Sequence, residues 1–388
     1  MNAQKRFRQI PPQRAWMEID LETLEHNVRT LQNLLPASCK LMPAVKANAY
    51  GFGAVPITKA LHRLGVTDFC VASLSEGIEL RKQGIRGNIL ILGYTHPDNC
   101  RLLKRYRLTQ TVVDYTHAEQ LAKKGIQLPV HIKIDTGMRR LGERSDNADK
   151  LRKLFSLKEL IISGVFTQLS CSDSTNPDDI EYTNMQISNF YAALQELKEQ
   201  MIVLPKAHIQ CSYGIINYPS ISADYARPGL ALYGIVDESC CIGKAPCLRP
   251  IFTIKTRIAL IKQVYAGERI GYGNTVIAPE NMKVAVITMG YADGLPRSLS
   301  KGMGKVLVNG QYASIIGNIC MDQAIVDVSH LDDVAPGDVA VVIGHSGSAN
   351  ISINEFARWA GTIPNEIASR FGERLERKYC RGNMTQYK

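Results

Sequence analysis

The stretch LMPAVKANAYGFG, residues 41–53, starts as an apolar run, carries Lys46 to its end, and then breaks into small residues, a tyrosine and two glycines. An apolar run closed by turn residues reads as a buried strand. An ammonium in that place is costly unless something uses it. Seven more short apolar runs follow: DFCVAS, NILILGY, LTQTVVD, VHIKID, IISGVFTQL, KAHIQCS and RPGLALYG. Segments of helical character, such as SEGIELRKQG, THAEQLAKKG and DIEYTNMQISNFYAALQELKEQ, separate most of them, and the helix DLETLEHNVRTLQNLL precedes the first. Eight strand-helix units predict parallel strands closed into an α/β (β/α)8 (TIM) barrel. The short, Gly/Pro-bearing crossover after the seventh run is the weakest link in that count.

From about residue 247 the texture changes. IFTIKTRIALIKQV, KVAVITMG, KVLVNGQYASIIG, QAIVDVS and GDVAVVIG are strands with little helix between them, and Asn309-Gly310 is a hairpin signal. This predicts a C-terminal mainly β domain over 247–388, closed by the short helices NEFARWA and NEIASRF. The barrel is bounded at 15–246, with 15–20 left open to pairing with the second domain's sheet, and 1–14 reads as a linker or arm. At 388 residues the chain is long enough for both domains.

Ten cysteines are scattered without a CxxC pair, which in a long chain reads as reduced, cytoplasmic thiols and no metal site. The formal charge of +10 is spread along the sequence and no nucleic-acid motif accompanies it, so no nucleic-acid partner is expected. No apolar run is long enough for a transmembrane helix, and the basic N-terminus lacks the apolar core of a secretory signal.

In a barrel of this kind chemistry collects at the C-terminal ends of the strands. Lys46 ends the first run, Arg139 and Arg140 follow the fifth, Gln168 ends the sixth, Ser212 and Tyr213 end the seventh, and Arg227 opens the eighth. A phosphate is commonly seated after strands seven and eight, where Ser212 and the backbone near Gly229 and Leu230 stand. A phosphate site beside a buried lysine points to pyridoxal phosphate held as a Schiff base on Lys46. Taken singly, each residue has an ordinary reading: a snorkelling lysine, a surface arginine, a turn hydroxyl.

AVKANAYGFG, DTGMRRLG, RPGLALYG, GYGNTV, GYADGLPR and GNICMDQ, in this order, resemble the alanine racemase family of fold type III pyridoxal phosphate enzymes. The resemblance runs from about Trp16 to the last helix. It implies racemisation of a small amino acid, L-Ser or L-Ala, supplying D-amino acids for cell-wall precursors. It further implies that Lys46 bonds the cofactor and is one base, and that Tyr50, Ser212, Gly229 and Leu230 hold the phosphate. Arg227 would face the pyridine nitrogen and Arg140 would grip the substrate carboxylate. Tyr272 would be the second base, entering from the partner of a head-to-tail homodimer, with Met321 and Asp322 nearby and Tyr291 in support. Lys133 matches a position that is carbamylated in some members and orients the arginine.

Three positions depart from the family pattern. Gln168 and Phe52 stand where histidine is usual, and Asn365 stands where tyrosine is usual. Asn365 resembles the serine/alanine racemases of vancomycin-resistance clusters, in which a membrane-embedded region precedes the racemase; the chain would then be the cytoplasmic domain of a membrane protein. As an ordinary residue Asn365 would cap the last helix. The alternatives are a fold type III decarboxylase of basic amino acids, which needs an acidic partner for the pyridine nitrogen and a catalytic cysteine such as Cys320, and a non-catalytic cofactor carrier, which would lack the β domain.

Overall fold

A computed structural model describes residues 14–382. The arm assigned to 1–14 therefore lies outside the described residues except for Arg14. The chain divides into two compact units, one being Leu21–Pro250 and the other the described residues on either side of it.

In the first unit a short strand, Glu143–Arg144, pairs parallel with the end of Leu128–Asp135, and eight other parallel strands lie side by side in sequence order: Lys40–Leu41, Asp68–Val71, Asn88–Ile91, Thr109–Val112, Leu128–Asp135, Leu160–Phe166, Lys206–His208 and Tyr225–Ala226. The last pairs with the first, and residues 43–45 reach the second through the Ala44–Cys70 bridge and the Val45 N to Cys70 O hydrogen bond of 2.8 Å. The ring is thus nearly closed. Helices fill the crossovers for local reasons. The longest, Pro177–Glu199, starts with Pro177 in its first turn and with the Asn176 side chain accepting from Asp178 N at 3.0 Å. Leu74–Lys82 starts with a capping box between Ser73 and Glu76.

The eighth strand corrects the sequence reading. It is Tyr225–Ala226, and RPGLALYG forms the turn after it with a 3-10 segment over Leu230–Tyr233. Pro228 has no N–H to offer a ladder, so the strand ends before it. Arg227 consequently follows the eighth strand rather than opening it. The unit boundary also moves, from 247 to Ile251. His26 bonds Cys247 O at 2.8 Å, and Asn27 donates to Arg249 O at 2.8 Å and accepts from Arg249 N at 2.9 Å, so these residues belong with the first barrel helix.

The second unit is a nine-stranded sheet in which Phe252–Val264 is the longest member. Ala15–Asp20 pairs with it antiparallel, and with Glu376–Cys380 parallel on its other side, so WMEID belongs to this sheet. Asn309 (φ 49°) and Gly310 (φ 78°) make the tight turn between Lys305–Val308 and Gln311–Ile316, both in the positive-φ region that a two-residue hairpin asks for. The helices Ile353–Ala360 and Pro364–Arg370 close the unit.

Candidate active site

Lys46 stands where the first strand gives way to a left-handed turn. Ala47, Asn48, Ala49 and Tyr50 all have φ between 51° and 54°. For L-residues this conformation costs roughly 1–2 kcal/mol each, and it persists only when the surroundings over-determine it. The surroundings do so here. Ala47 N donates to the Glu76 carboxylate at 2.9 Å, Asn48 Oδ1 accepts from Ala54 N at 2.7 Å, and Ala49 N bonds Val45 O at 2.9 Å. Glu76 also receives Ala72 N and Ser73 N, so one carboxylate ties the Lys46 turn to the end of the second strand. Lys46 is half-buried and has no hydrogen-bond or ion-pair partner among the described residues. Burial, and then the charge of Arg140, hold its pKa below the ordinary lysine value, so the neutral amine is more accessible than in water.

The turn carries Tyr50 toward the loop after the eighth strand. A Cβ on Gly229 would lie 2.5 Å from the Tyr50 hydroxyl, so glycine is required for this approach. The same loop is bound to Ser212, whose hydroxyl oxygen accepts from Gly229 N at 2.9 Å and from Ala231 N at 3.2 Å. Leu230, first in the 3-10 segment, has no acceptor for its N–H within that segment. Tyr50, Ser212, Gly229 and Leu230 therefore form one polar nook with donors to spare, and burial pushes the Tyr50 phenol up to about 12, keeping it a neutral donor.

Arg227 is buried without a carboxylate partner among the described residues. Its NH1 donates to His208 Nδ1 at 2.6 Å, and its NH2 to Thr167 O, Ile209 O and, at 3.2 Å, Gln168 Oε1. Its Nε–H has no acceptor among the described residues. A buried cation with a spare donor suits an uncharged ring nitrogen and gives a decarboxylase's acidic partner no place. Arg227 and Lys133 lie over the Phe166 ring at 5.1 and 5.7 Å, and His208 stacks on that ring at 4.6 Å. Burial, with help from Arg140, lowers the Lys133 pKa to about 8.

The loop DTGMRRLG separates its two arginines. The Asp135 carboxylate accepts from Gly137 N at 2.9 Å and Arg139 N at 3.1 Å, and Arg139 also pairs with it across 3.7 Å. Arg140 is exposed and has no partner among the described residues. It is the arginine left for a ligand.

Tyr272, Tyr291, Met321, Asp322 and Asn365 all lie in the second unit. Three remote motifs meet there: Asn318 Nδ2 donates to Tyr272 O at 2.7 Å, and Tyr291 N and Ala292 N donate to Cys320 O and Met321 O, both at 3.0 Å. Gly290 allows this, because a Cβ there would lie 2.4 Å from both carbonyl oxygens. Tyr272 is 72% exposed and its hydroxyl has no partner among the described residues, with Tyr291 (42%) and Met321 (52%) exposed beside it. Asp322 is committed to Arg374 at 2.6 Å. Asn365 does not cap the last helix: Ile363 is the cap position, Asn365 sits inside the first turn, and it is exposed with an amide that has no partner among the described residues. The Pro364 ring, favoured at the first helical position, sets the cap two residues earlier than Asn365.

The sequence reading missed Glu76, Phe166, His208 and His131. Only Glu76 carried a local signal, the capping box in SLSE. The other three are apolar or neutral residues inside strands, where nothing distinguishes them from core.

The model of the alanine racemase N-terminal domain matches residues 19–237, and that of the alanine racemase C-terminal domain matches 251–379. An amino-acid racemase of Enterococcus faecalis is 41% identical over 363 residues, covering 93% of this chain. A serine/alanine racemase of Enterococcus gallinarum is 38% identical over 367 residues, covering 94%. This chain spans about half the length of these curated relatives, 51% in each case. Among solved structures, alanine racemase from E. faecalis superposes with a TM-score of 0.87 at 32% identity, covering 94% of this chain and 98% of its own. Alanine racemase from Bartonella henselae with covalently bound pyridoxal phosphate gives 0.84 at 28%, covering 95% and 100%.

Proposed function

Because this chain belongs to the alanine racemase family, we propose that it is a pyridoxal phosphate-dependent isomerase interconverting the L and D forms of serine and alanine. The observation that carries this reading is Lys46: a half-buried amine on a strained turn, on the same barrel rim as the buried Arg227 and the exposed Arg140, with neither Lys46 nor Arg140 partnered among the described residues. The residues fit the cofactor, with the Tyr50, Ser212, Gly229 and Leu230 nook for a phosphate and the Arg227 Nε–H for a ring nitrogen. When bound, pyridoxal phosphate supplies an electron sink for the pair left on the substrate's Cα.

The chain's own groups would do the rest. Arg140 binds the carboxylate and so fixes which bond at Cα stands upright. Lys46 holds or takes a proton on one face, and Tyr272 from a partner subunit does so on the other, which is what inversion at carbon requires. Arg227, always protonated, keeps the ring nitrogen an acceptor and limits side reactions. The exposed Tyr272, Tyr291 and Met321 support a head-to-tail homodimer in which this surface completes a neighbour's site. The decarboxylase reading loses its support with Arg227. By likeness to the enterococcal serine/alanine racemases, the product would serve cell-wall precursors and vancomycin resistance, and the chemistry would be cytoplasmic beside a membrane-embedded region. Chiral analysis of product from L-Ser and L-Ala tests the reading; no D-amino acid from either would overturn it.

Asn365 sets the substrate preference in this proposal. Its amide can donate to and accept from a serine hydroxyl, directly or through water. Asn365→Tyr is expected to shift the serine-to-alanine ratio of kcat/KM toward alanine by about 10-fold to 100-fold, the range open to a pocket judging one hydroxyl. Paired kinetics on both amino acids measure it, and an unchanged ratio removes Asn365 from the substrate site.

Lys133 has a test in stability. Unfolded, its amine keeps its proton to about 10.5, whereas folded it releases it near about 8. The unfolded state therefore holds more protons between these values, and folding stability rises with pH across that window. Below about pH 8 the cost of the buried charge is fully present. Lys133→Met should raise the unfolding free energy measured with denaturant at neutral pH, by an upper bound of about 3 kcal/mol, and lose this advantage near pH 10.5. A methionine variant that is less stable at neutral pH would instead favour a carbamylated, negatively charged Lys133 facing Arg140.

A further inference from the structure

At the other mouth of the barrel a cavity of about 510 Å³ opens among the beginnings of the strands. Asp68, Asn88, Thr109, Lys206 and Tyr225, each the first residue of a parallel strand, line it, whereas Lys46 and Arg227 follow strand ends. Its volume lies in the range of small-molecule sites. One wall is apolar, made by Met42, Phe69, Leu90 and Leu103. The charged lining is Lys104, Arg107 and Lys206 against the single carboxylate of Asp68, both of whose oxygens are occupied, by Asn88 Nδ2 and Thr67 Oγ1 at 2.7 Å each.

His131, 7% exposed, also lines the cavity, and its hydrogen is placed by a chain of donors. Arg227 can only donate, so His208 Nδ1 accepts from it at 2.6 Å and His208 must carry its hydrogen on Nε2. That Nε2–H donates to His131 Nδ1 at 2.8 Å. His131 therefore carries its own hydrogen on Nε2. Burial and the nearby Arg227 hold His131 neutral, lowering its pKa to about 4, and His208 is held neutral for the same reasons. The His131 Nε2–H has no acceptor among the described residues. The ring is nine-tenths buried, and a donor without a protein acceptor on the wall of a cavity is open to an acceptor atom of a ligand.

We propose that this cavity is a binding site for a phosphate monoester with a small apolar body, its dianionic head taken by Lys104, Arg107 and Lys206 and an acceptor atom met by the His131 Nε2–H. Three cations facing one satisfied carboxylate call for a doubly charged anion, and the wall of Met42, Phe69, Leu90 and Leu103 calls for an organic remainder. The site is separate from the Tyr50 and Ser212 nook and does not depend on the racemase reading.

The test is calorimetric titration of the cofactor-loaded protein with phenyl phosphate at neutral pH and physiological salt. The expected result is saturable binding, one per chain, with the cofactor's visible absorbance unchanged. Phenyl sulfate, similar in shape but singly charged, should bind about 10-fold more weakly. Lys104→Gln and Lys206→Gln, at exposed positions that leave the fold intact, should each weaken phenyl phosphate about 10-fold. Absence of saturable binding, equal affinity for the two anions, unchanged affinity in both variants, or release of the cofactor by phenyl phosphate would each overturn the proposal.

Discussion

Lys46→Ala protein is expected to lose racemisation of L-Ser and L-Ala by at least about 10³-fold, the scale of a missing general base, and to lose the visible absorbance of bound cofactor with it. The loss should be local. Alanine suits the turn that follows, and the restraints on that turn, from Glu76 to Ala47 N and from Asn48 to Ala54 N, come from groups other than the Lys46 amine. Thermal unfolding should therefore change little, or show a small gain from removing a desolvated amine. Lys133 is the other buried lysine of this rim, but it lies over the Phe166 ring at the end of the fifth strand, so its amine would meet a differently placed carbon. A small primary amine added to the variant should restore a fraction of turnover, because the missing group is an amine in an otherwise formed site. Turnover above a hundredth of wild type without added amine would remove Lys46 from the mechanism.

The barrel was legible because each of its strands is an apolar run closed by turn residues, and the spatial order of the strands is their sequence order. The eighth was misplaced by only a few residues, since RPGLALYG is as apolar as a strand and only Pro228 tells against it. The turn at 47–50 was beyond reading. A left-handed conformation at Ala47, Ala49 and Tyr50 has no local cause; it exists because Glu76, twenty-nine residues away, accepts from Ala47 N. The same holds for the arginines. Arg139 and Arg140 are equivalent in sequence, and it is the Asp135 carboxylate that takes one and leaves the other. His131 and His208 gave no signal because a histidine within an apolar strand is most often a satisfied core residue, and their meaning comes from the Arg227 donor between strands.

Tyr272→Phe carries the second large effect and separates the faces of the substrate. The variant keeps Lys46, Tyr50 and Arg227, so it should retain cofactor while losing turnover by roughly 10²-fold to 10⁴-fold. Incubated in D2O with each enantiomer separately, it should wash deuterium into one and largely spare the other, because Lys46 still serves its face. Equal exchange into both would mean that the phenol is no face-specific base. The hydroxyl that phenylalanine removes has no partner among the described residues, so stability should be unaffected. Mixing supplies the decisive arm. If Tyr272 serves the neighbouring subunit, a dimer of one Lys46→Ala chain and one Tyr272→Phe chain has one site lacking both groups and one site with both. Random exchange makes half the dimers mixed, so about a quarter of the sites, and of wild-type activity, should return from two inactive proteins. If each chain built its site from its own Lys46 and Tyr272, every site in the mixed dimer would still lack one group. No recovery, with subunit exchange verified by mass, would then place both bases on one chain and leave the exposed Tyr272 surface without the role assigned to it.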